Sequence, residues 1–189
     1  MKMYEDQLIV ITGGAGFLGS SVVRHLNDRG VKNLVIVDHL GHSEKWKNLV
    51  GKSFVDIVPV DRFFRWLEGK ESAIEAFIHL GACSSTVEKD AEFLLENNYR
   101  FSIRLAEYAL ENNHRFIYAS SAATYGDGSR GFSDDHHALD ALVPLNMYGY
   151  SKHLFDLWVK KMGVLDQVVG LKYFNAFGPN EAHKERMAS

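Results

Sequence analysis

The segment Leu8-Ile9-Val10-Ile11 is an unbroken apolar run that opens at once into Thr12-Gly13-Gly14-Ala15-Gly16-Phe17-Leu18-Gly19. Such a run suits a parallel strand covered on both faces. From Phe17 to Arg29 the residues Leu18, Val22, Val23 and Leu26 keep helical spacing, and Gly30 stops the pattern. A strand that turns through glycines directly into a helix is the pattern of a dinucleotide-binding turn. Glycines let the chain turn sharply, let a pyrophosphate approach the backbone, and let the helix pack close to the sheet. The helix start, with Phe17 and Leu18, then offers N–H groups and a positive dipole end. Two glycine triplets fit, Gly13/Gly16/Gly19 and Gly14/Gly16/Gly19. A nucleoside-triphosphatase loop does not fit, because it needs a lysine after Gly19 and the chain has Ser20-Ser21.

The next apolar run, Leu34 to Val37, ends at Asp38. This lies close to the ~20-residue separation at which an acid meets the cofactor ribose. Such an acid favours NAD, since it repels a 2′-phosphate. His39, His42, Lys45 and Lys47 follow closely, and a cation among them could hold the phosphate of NADP. These residues alone leave the two cofactors open.

Further strands are expected near Phe54 to Val60, Ala76 to Leu80, Phe116 to Ala119 and Val168 to Phe174. Helical spacing recurs from Asn98 to Leu110, and again after Pro144, where Phe155, Trp158, Val159 and Met162 share a side. Gly126 to Asp135 reads as a surface loop. Strand and helix in alternation predict an α/β fold, a doubly wound parallel sheet in three α/β/α layers.

The net charge of −3 shows no basic surplus, which argues against nucleic acid or an anionic membrane as the main partner. No stretch approaches the ~20 apolar residues of a membrane span. Acids at Glu5 and Asp6 stand where a signal peptide needs bases. The single Cys83 cannot form an internal disulfide and reads as a small buried hydrophobe. A cytoplasmic setting is expected. His136-His137 lacks metal-ligand spacing and reads as solvated, so no metal is expected. His79 reads as a core residue.

Ser120-Ser121 closes the fifth strand, at the carboxyl end where such sheets bind ligands. Tyr148 has Lys152 four residues on, which puts both on one helical face. A free tyrosine has a pKa of about 10, and a nearby ammonium favours the phenolate. Tyr148 is thus expected to exchange a proton with a sugar hydroxyl while hydride moves to a nicotinamide, with Ser121 bonded to the same oxygen. Leu80, Gly81, Ala82, Cys83 and Ser84 end the fourth strand and are expected to line the cofactor cleft. Asn97 or Asn98 is placed with them, helix capping being the alternative.

Taken together, these residues resemble the extended short-chain dehydrogenase/reductase superfamily. Within it, the segments Gly81–Thr86, Tyr118–Gly126, Tyr148–Lys152, Lys172–Pro179 and His183–Ser189 are similar to the family of ADP-heptose 6-epimerases. The resemblance spans essentially the whole chain. It implies a nucleotide-sugar substrate, a tightly bound NADP, and inversion at C6 of an ADP-heptose for lipopolysaccharide core synthesis. Hydride leaves C6, a ketone forms, and hydride returns to the opposite face. The resemblance further implies that Tyr148 and Lys184 flank that carbon and that Lys152 supports Tyr148 and binds the nicotinamide ribose. By the same token Lys45 meets the 2′-phosphate, and Ser121, Asn175 and His183 contact substrate. The chain departs from the family's pattern at His39, near Val60, where the family carries a second phosphate-contacting lysine, and at Asn180.

Members of this family assemble as homo-oligomers and run longer than 189 residues. Residues 1–189 are accordingly expected to be the dinucleotide-binding domain, without most of the sugar-binding lobe, and to bind cofactor without normal turnover. A hexose-nucleotide 4-epimerase is the nearest alternative. A dehydratase is less similar, since that family carries an Asp-Glu pair where Ala122-Ala123 stand. A cofactor-binding module without chemistry is the third alternative.

Overall fold

A computed structural model describes residues 7–178. In chain order it contains β1 (Leu8–Thr12), α1 (Phe17–Asp28), β2 (Leu34–Asp38), β3 (Asp56–Pro59), α2 (Phe63–Leu67) and β4 (Ile74–His79). There follow α3 (Ala91–Leu94), α4 (Phe101–Glu111), β5 (Arg115–Ser121), α5 (Met147–Lys161) and β6 (Val168–Tyr173). The strands form one six-stranded sheet in the order β3-β2-β1-β4-β5-β6. The pairs β1–β2, β1–β4, β2–β3 and β5–β6 are parallel. This is the doubly wound order expected from the alternation of elements. The chain steps outward from β1 to β3 and then returns to place β4 beside β1. The crevice at the carboxyl ends of β1 and β4 is therefore the switch point where such sheets take ligands.

The described residues gather into two compact units, one of residues 7–81, 112–115 and 176–178 and one of residues 82–111 and 116–175. In the first, β2 is buried along its whole length and β1 from Ile9 onward. Ile9, Ile11, Leu34 and Ile36 pack with Ala15, Val23 and Leu49 into one core. Continuous β-branched runs suit this position, because both faces of each strand are covered. In the second unit, Phe116 and Tyr118 each meet Phe155 edge to face, with the rings of Tyr118 and Phe155 4.8 Å apart.

Several boundaries differ from the sequence expectation. The third strand is shorter than Phe54 to Val60, because Val60 already opens a 3-10 turn and Phe54 packs against the core from a loop. The helix expected from Asn98 begins earlier, since α3 runs through a π-helical stretch, Leu95–Arg100, into α4. On α5, Phe155 and Val159 are buried as expected, but Met162 lies beyond the last turn and is exposed. The sixth strand stops at Tyr173, leaving Phe174 exposed. Cys83 is half-buried rather than buried, because it sits in the segment between β4 and α3. His79 is buried, as expected of a core residue. His136 and His137 are exposed. No helix among the described residues is long and apolar enough to cross a membrane, and none of them form a His/Cys/Asp/Glu group able to hold a metal.

Candidate functional site

The first unit builds the glycine turn. The Gly13 N–H donates to the Val37 carbonyl at 2.8 Å and the Gly16 N–H to the Gly13 carbonyl at 3.0 Å, which closes the loop between β1 and α1. Gly13 adopts φ +70°, and a Cβ on it would press on the Gly81 backbone at 2.7 Å. A Cβ on Gly19 would stand 2.1 Å from the Gly13 carbonyl oxygen. The triplet that matters is thus Gly13/Gly16/Gly19. The third glycine lets the first turn of α1 close onto the loop. Gly16 caps α1 without a side chain, and its first turn carries no acid. This cradle of backbone and helix start fits a pyrophosphate.

Beside it, Asp38 is buried at the end of β2, and both of its carboxylate oxygens accept hydrogen bonds. Its Oδ2 accepts from the Ala15 N–H at 2.9 Å, and its Oδ1 from the His39 N–H at 2.7 Å and Lys45 Nζ at 2.6 Å. Of the four basic residues expected to offer a cation to a 2′-phosphate, Lys45 instead faces the acid. Lys47 pairs with Glu44 at 2.6 Å, and the rings of His39 and His42 are exposed. Asn48, which sequence spacing did not single out, ties the following 3-10 turn to the glycine loop by donating to the Ala15 carbonyl at 3.0 Å. At the end of β4, Leu80 and Gly81 are joined to β1. Their N–H groups donate to the Thr12 carbonyl at 3.1 Å and to Thr12 Oγ1 at 3.0 Å.

The second unit assembles the serine, tyrosine and lysine. Ser121 ends β5, is buried, and its Oγ accepts from the Ala123 N–H at 3.1 Å. The Asn146 side chain caps α5 by accepting from the Gly149 N–H at 2.8 Å. A Cβ on Gly149 would stand 2.7 Å from the Ala123 carbonyl. Helix α5 can therefore lie directly on the turn that follows Ser121, which brings the neighbouring Tyr148 into a hydrogen bond with Ser121. One turn on, Lys152 is buried and its Nζ donates to the Ala119 carbonyl at 2.9 Å.

Sequence reasoning expects Lys152 to draw the Tyr148 phenol below its ordinary pKa. The structure gives the opposite sign: burial raises Tyr148 above 10.0, with the Ser121 hydrogen bond pulling down and Cys83 adding to the rise. The physical reason is that burial away from water disfavours the phenolate more than the Ser121 hydrogen bond favours it. Burial also pulls Lys152 from 10.5 to about 8, while the Asp156 carboxylate pulls it back up.

That shift has a measurable consequence. Below pH 8 the folded chain carries a buried ammonium at a cost, and the cost vanishes as pH approaches 10.5, where the unfolded chain also loses its proton. At ~1.4 kcal/mol per pH unit the cost is about 3 kcal/mol. Lys152→Met is therefore expected to be more resistant to urea than the parent chain at pH 7, with the gap closing toward pH 10. A gap that stays constant or widens would refute the assignment.

Asn98 is the hub that the sequence leaves ambiguous. It is wholly buried. Its Oδ1 accepts from the Cys83 N–H at 2.8 Å, and its Nδ2 donates to the Cys83 carbonyl at 2.9 Å and to Ser151 Oγ at 3.1 Å. Asn97 is half-buried and donates to Asn98 at 3.0 Å. Ala82 is half-buried, and Ser84 and Asn175 are exposed. His183 and Lys184 lie outside the described residues. A cavity of about 580 Å³, lined by Tyr118, Ser120, Tyr125, Asp156, Lys172 and Phe174, also lies in this unit. Tyr118 and Ser120 alternate along β5 with Ala119 and Ser121, so the cavity lies on the face of that strand away from Ser121.

These features define a dinucleotide-binding α/β protein with a serine–tyrosine–lysine site. The NAD dependent epimerase/dehydratase family profile matches residues 9–189, and the chain belongs to that family. It is 53% identical over 184 residues to an ADP-L-glycero-D-manno-heptose-6-epimerase of Nitratidesulfovibrio vulgaris (strain DP4), covering 96% of this chain and 57% of that protein. The crystal structure of the Helicobacter pylori ADP-L-glycero-D-manno-heptose-6-epimerase matches with TM-score 0.80 at 34% identity, over 98% of this chain and 60% of that one. The UDP-glucuronic acid 4-epimerase of Bacillus cereus in complex with NAD matches with TM-score 0.74 at 27% identity, over 92% of this chain and 58% of that one. The chain thus spans little more than half the length of these relatives.

Proposed function

We propose that this chain is the dinucleotide-binding part of an ADP-heptose 6-epimerase. The observation that carries this reading is the Ser121–Tyr148–Lys152 arrangement on the end of β5 and the start of α5, in a chain 53% identical to a relative of that name. The glycine turn and Asp38 hold the cofactor's pyrophosphate and adenine ribose. A bound nicotinamide supplies hydride acceptance and return. Tyr148, with Ser121 on the same oxygen, passes the proton to and from the C6 oxygen of the sugar, and Lys152 supports it. His183, Lys184 and Asn175 take part on the substrate side, and Lys184 serves the second face of C6. The relatives' additional length supplies most of the sugar-binding lobe. The small residues Ala122 and Ala123 support an epimerase over a dehydratase, because loss of water needs acid–base groups that alanine lacks.

The cofactor is NADP. Support comes from Lys45, whose ammonium at 2.6 Å neutralises Asp38 and removes the repulsion an unpaired acid would exert on a 2′-phosphate. Given ADP-D-glycero-D-manno-heptose in heavy water, the whole enzyme is expected to invert C6 and keep its C6 proton, as followed by NMR. Deuterium at C6 would replace internal hydride return with exchange through solvent. No inversion would remove the sugar assignment and leave the cofactor fold in place.

A further inference from the structure

Four residues beyond Lys152, and so one turn along the same face of α5, stands Asp156. Its side chain is buried and accepts from three directions. Tyr118 Oη donates to Oδ1 at 3.0 Å, while Ser120 Oγ and Lys172 Nζ each donate to Oδ2 at 2.7 Å. Lys172 also donates to Thr124 Oγ1 at 2.7 Å and lies 5.1 Å from the centre of the Tyr125 ring. Strand β5 thus anchors both members of the α5 face. The Ala119 carbonyl takes the Lys152 ammonium, and its neighbours Tyr118 and Ser120 take Asp156.

We propose that Asp156 is a positioning residue for Lys152, a carboxylate pinned by Tyr118, Ser120 and Lys172 one helical turn from the ammonium that the Ala119 carbonyl holds. A buried ammonium that meets only a neutral carbonyl gives up its proton readily. Asp156 opposes that loss, and burial is the opposing force. The other charged or titratable groups around Asp156 are Lys172 on β6, Tyr118 on β5, Tyr125 after it, and His153 on α5, which burial keeps below its ordinary value. Among them Lys172 is the competing cation, since it draws on the same carboxylate at 2.7 Å. The proposal rests on the reading of Lys152 as the support of Tyr148.

The test uses the chain itself, labelled with ¹³C at lysine Cε, with the Lys152 resonance identified by its loss in Lys152→Arg. Asp156→Asn removes the charge and keeps the shape. The Lys152 titration midpoint is expected to fall by about one pH unit. Lys172→Met frees the carboxylate from its competitor, and the midpoint is expected to rise. A purely structural role predicts something else: loosened packing admits water, and both variants drift up toward the ordinary lysine value. A midpoint that rises in Asp156→Asn, or does not move, overturns the proposal. If Asp156→Asn does not fold, Lys172→Met keeps the proposal falsifiable, because an unmoved or lowered midpoint there overturns it. None of these titrations needs a sugar substrate. Failure of the epimerase reading appears as absent C6 inversion, and failure of this proposal as a wrong sign at Lys152.

Discussion

In the whole enzyme of the proposed function, Tyr148→Phe is expected to lower epimerisation by about 10²–10⁴-fold, the range a positioned proton-transfer group supplies, while dinucleotide binding stays within about twofold of the parent. The substitution removes one oxygen from a half-buried ring and leaves Gly149 and the Asn146 cap of α5 in place. Ser121 keeps its acceptor role toward the Ala123 N–H, so the turn after β5 should hold. The raised pKa of Tyr148 sharpens the expectation. The side chain rests as a phenol at neutral pH, the form that donates a proton when a ketone is reduced. Phenylalanine has nothing to donate. Rates of sugar inversion together with calorimetric titration of NADP would check both halves. Retention of full rate in the variant would remove Tyr148 from the chemistry and move attention to Lys184.

The second large effect belongs to the first unit. Gly19→Ala is expected to cost about 1–3 kcal/mol or more of stability, in the range of overpacked cores, and to weaken dinucleotide binding at least about tenfold. The added methyl would meet backbone, at 2.1 Å from the Gly13 carbonyl oxygen and 2.6 Å from the Gly14 Cα. No rotamer change relieves a clash with backbone. Either α1 moves away from the loop or the loop opens, and both spoil the cradle. Thermal unfolding with and without NADP would read the two losses separately. An unshifted midpoint and an unchanged affinity would mean that the turn is looser than these distances describe.

The glycine turn, Asp38, Ser121 and the Tyr148/Lys152 pair were legible in the sequence because each follows from local rules. A strand must end before a turn, a helix face repeats every three or four residues, and a ribose-binding acid comes at a set distance. The Lys45 contact with Asp38 was not legible, since the sequence directed the four basic residues after Asp38 toward a 2′-phosphate and loop geometry puts Lys45 on the acid itself. Asn98, Ser151 and Lys172 were harder. Their partners lie 15 to 53 positions away in the chain, and local pattern carries no information at that range. Asp156 did carry a signal, its four-residue distance from Lys152, but the same spacing is common on any helix. The sign of the Tyr148 shift was missed for a related reason. Spacing showed that a lysine was near, but not how far burial would shield the phenol from water.

The grip of Asn98 on Cys83 has one more consequence. Its amide meets both the N–H and the C=O of a single residue, at 2.8 and 2.9 Å, much as a neighbouring strand would. One side chain thus serves as a one-rung ladder for a segment that lies outside the sheet. A latch of this kind is blind to the side chains it fastens. The path of the backbone at Cys83 is thereby held by contacts in which the Cys83 side chain takes no part.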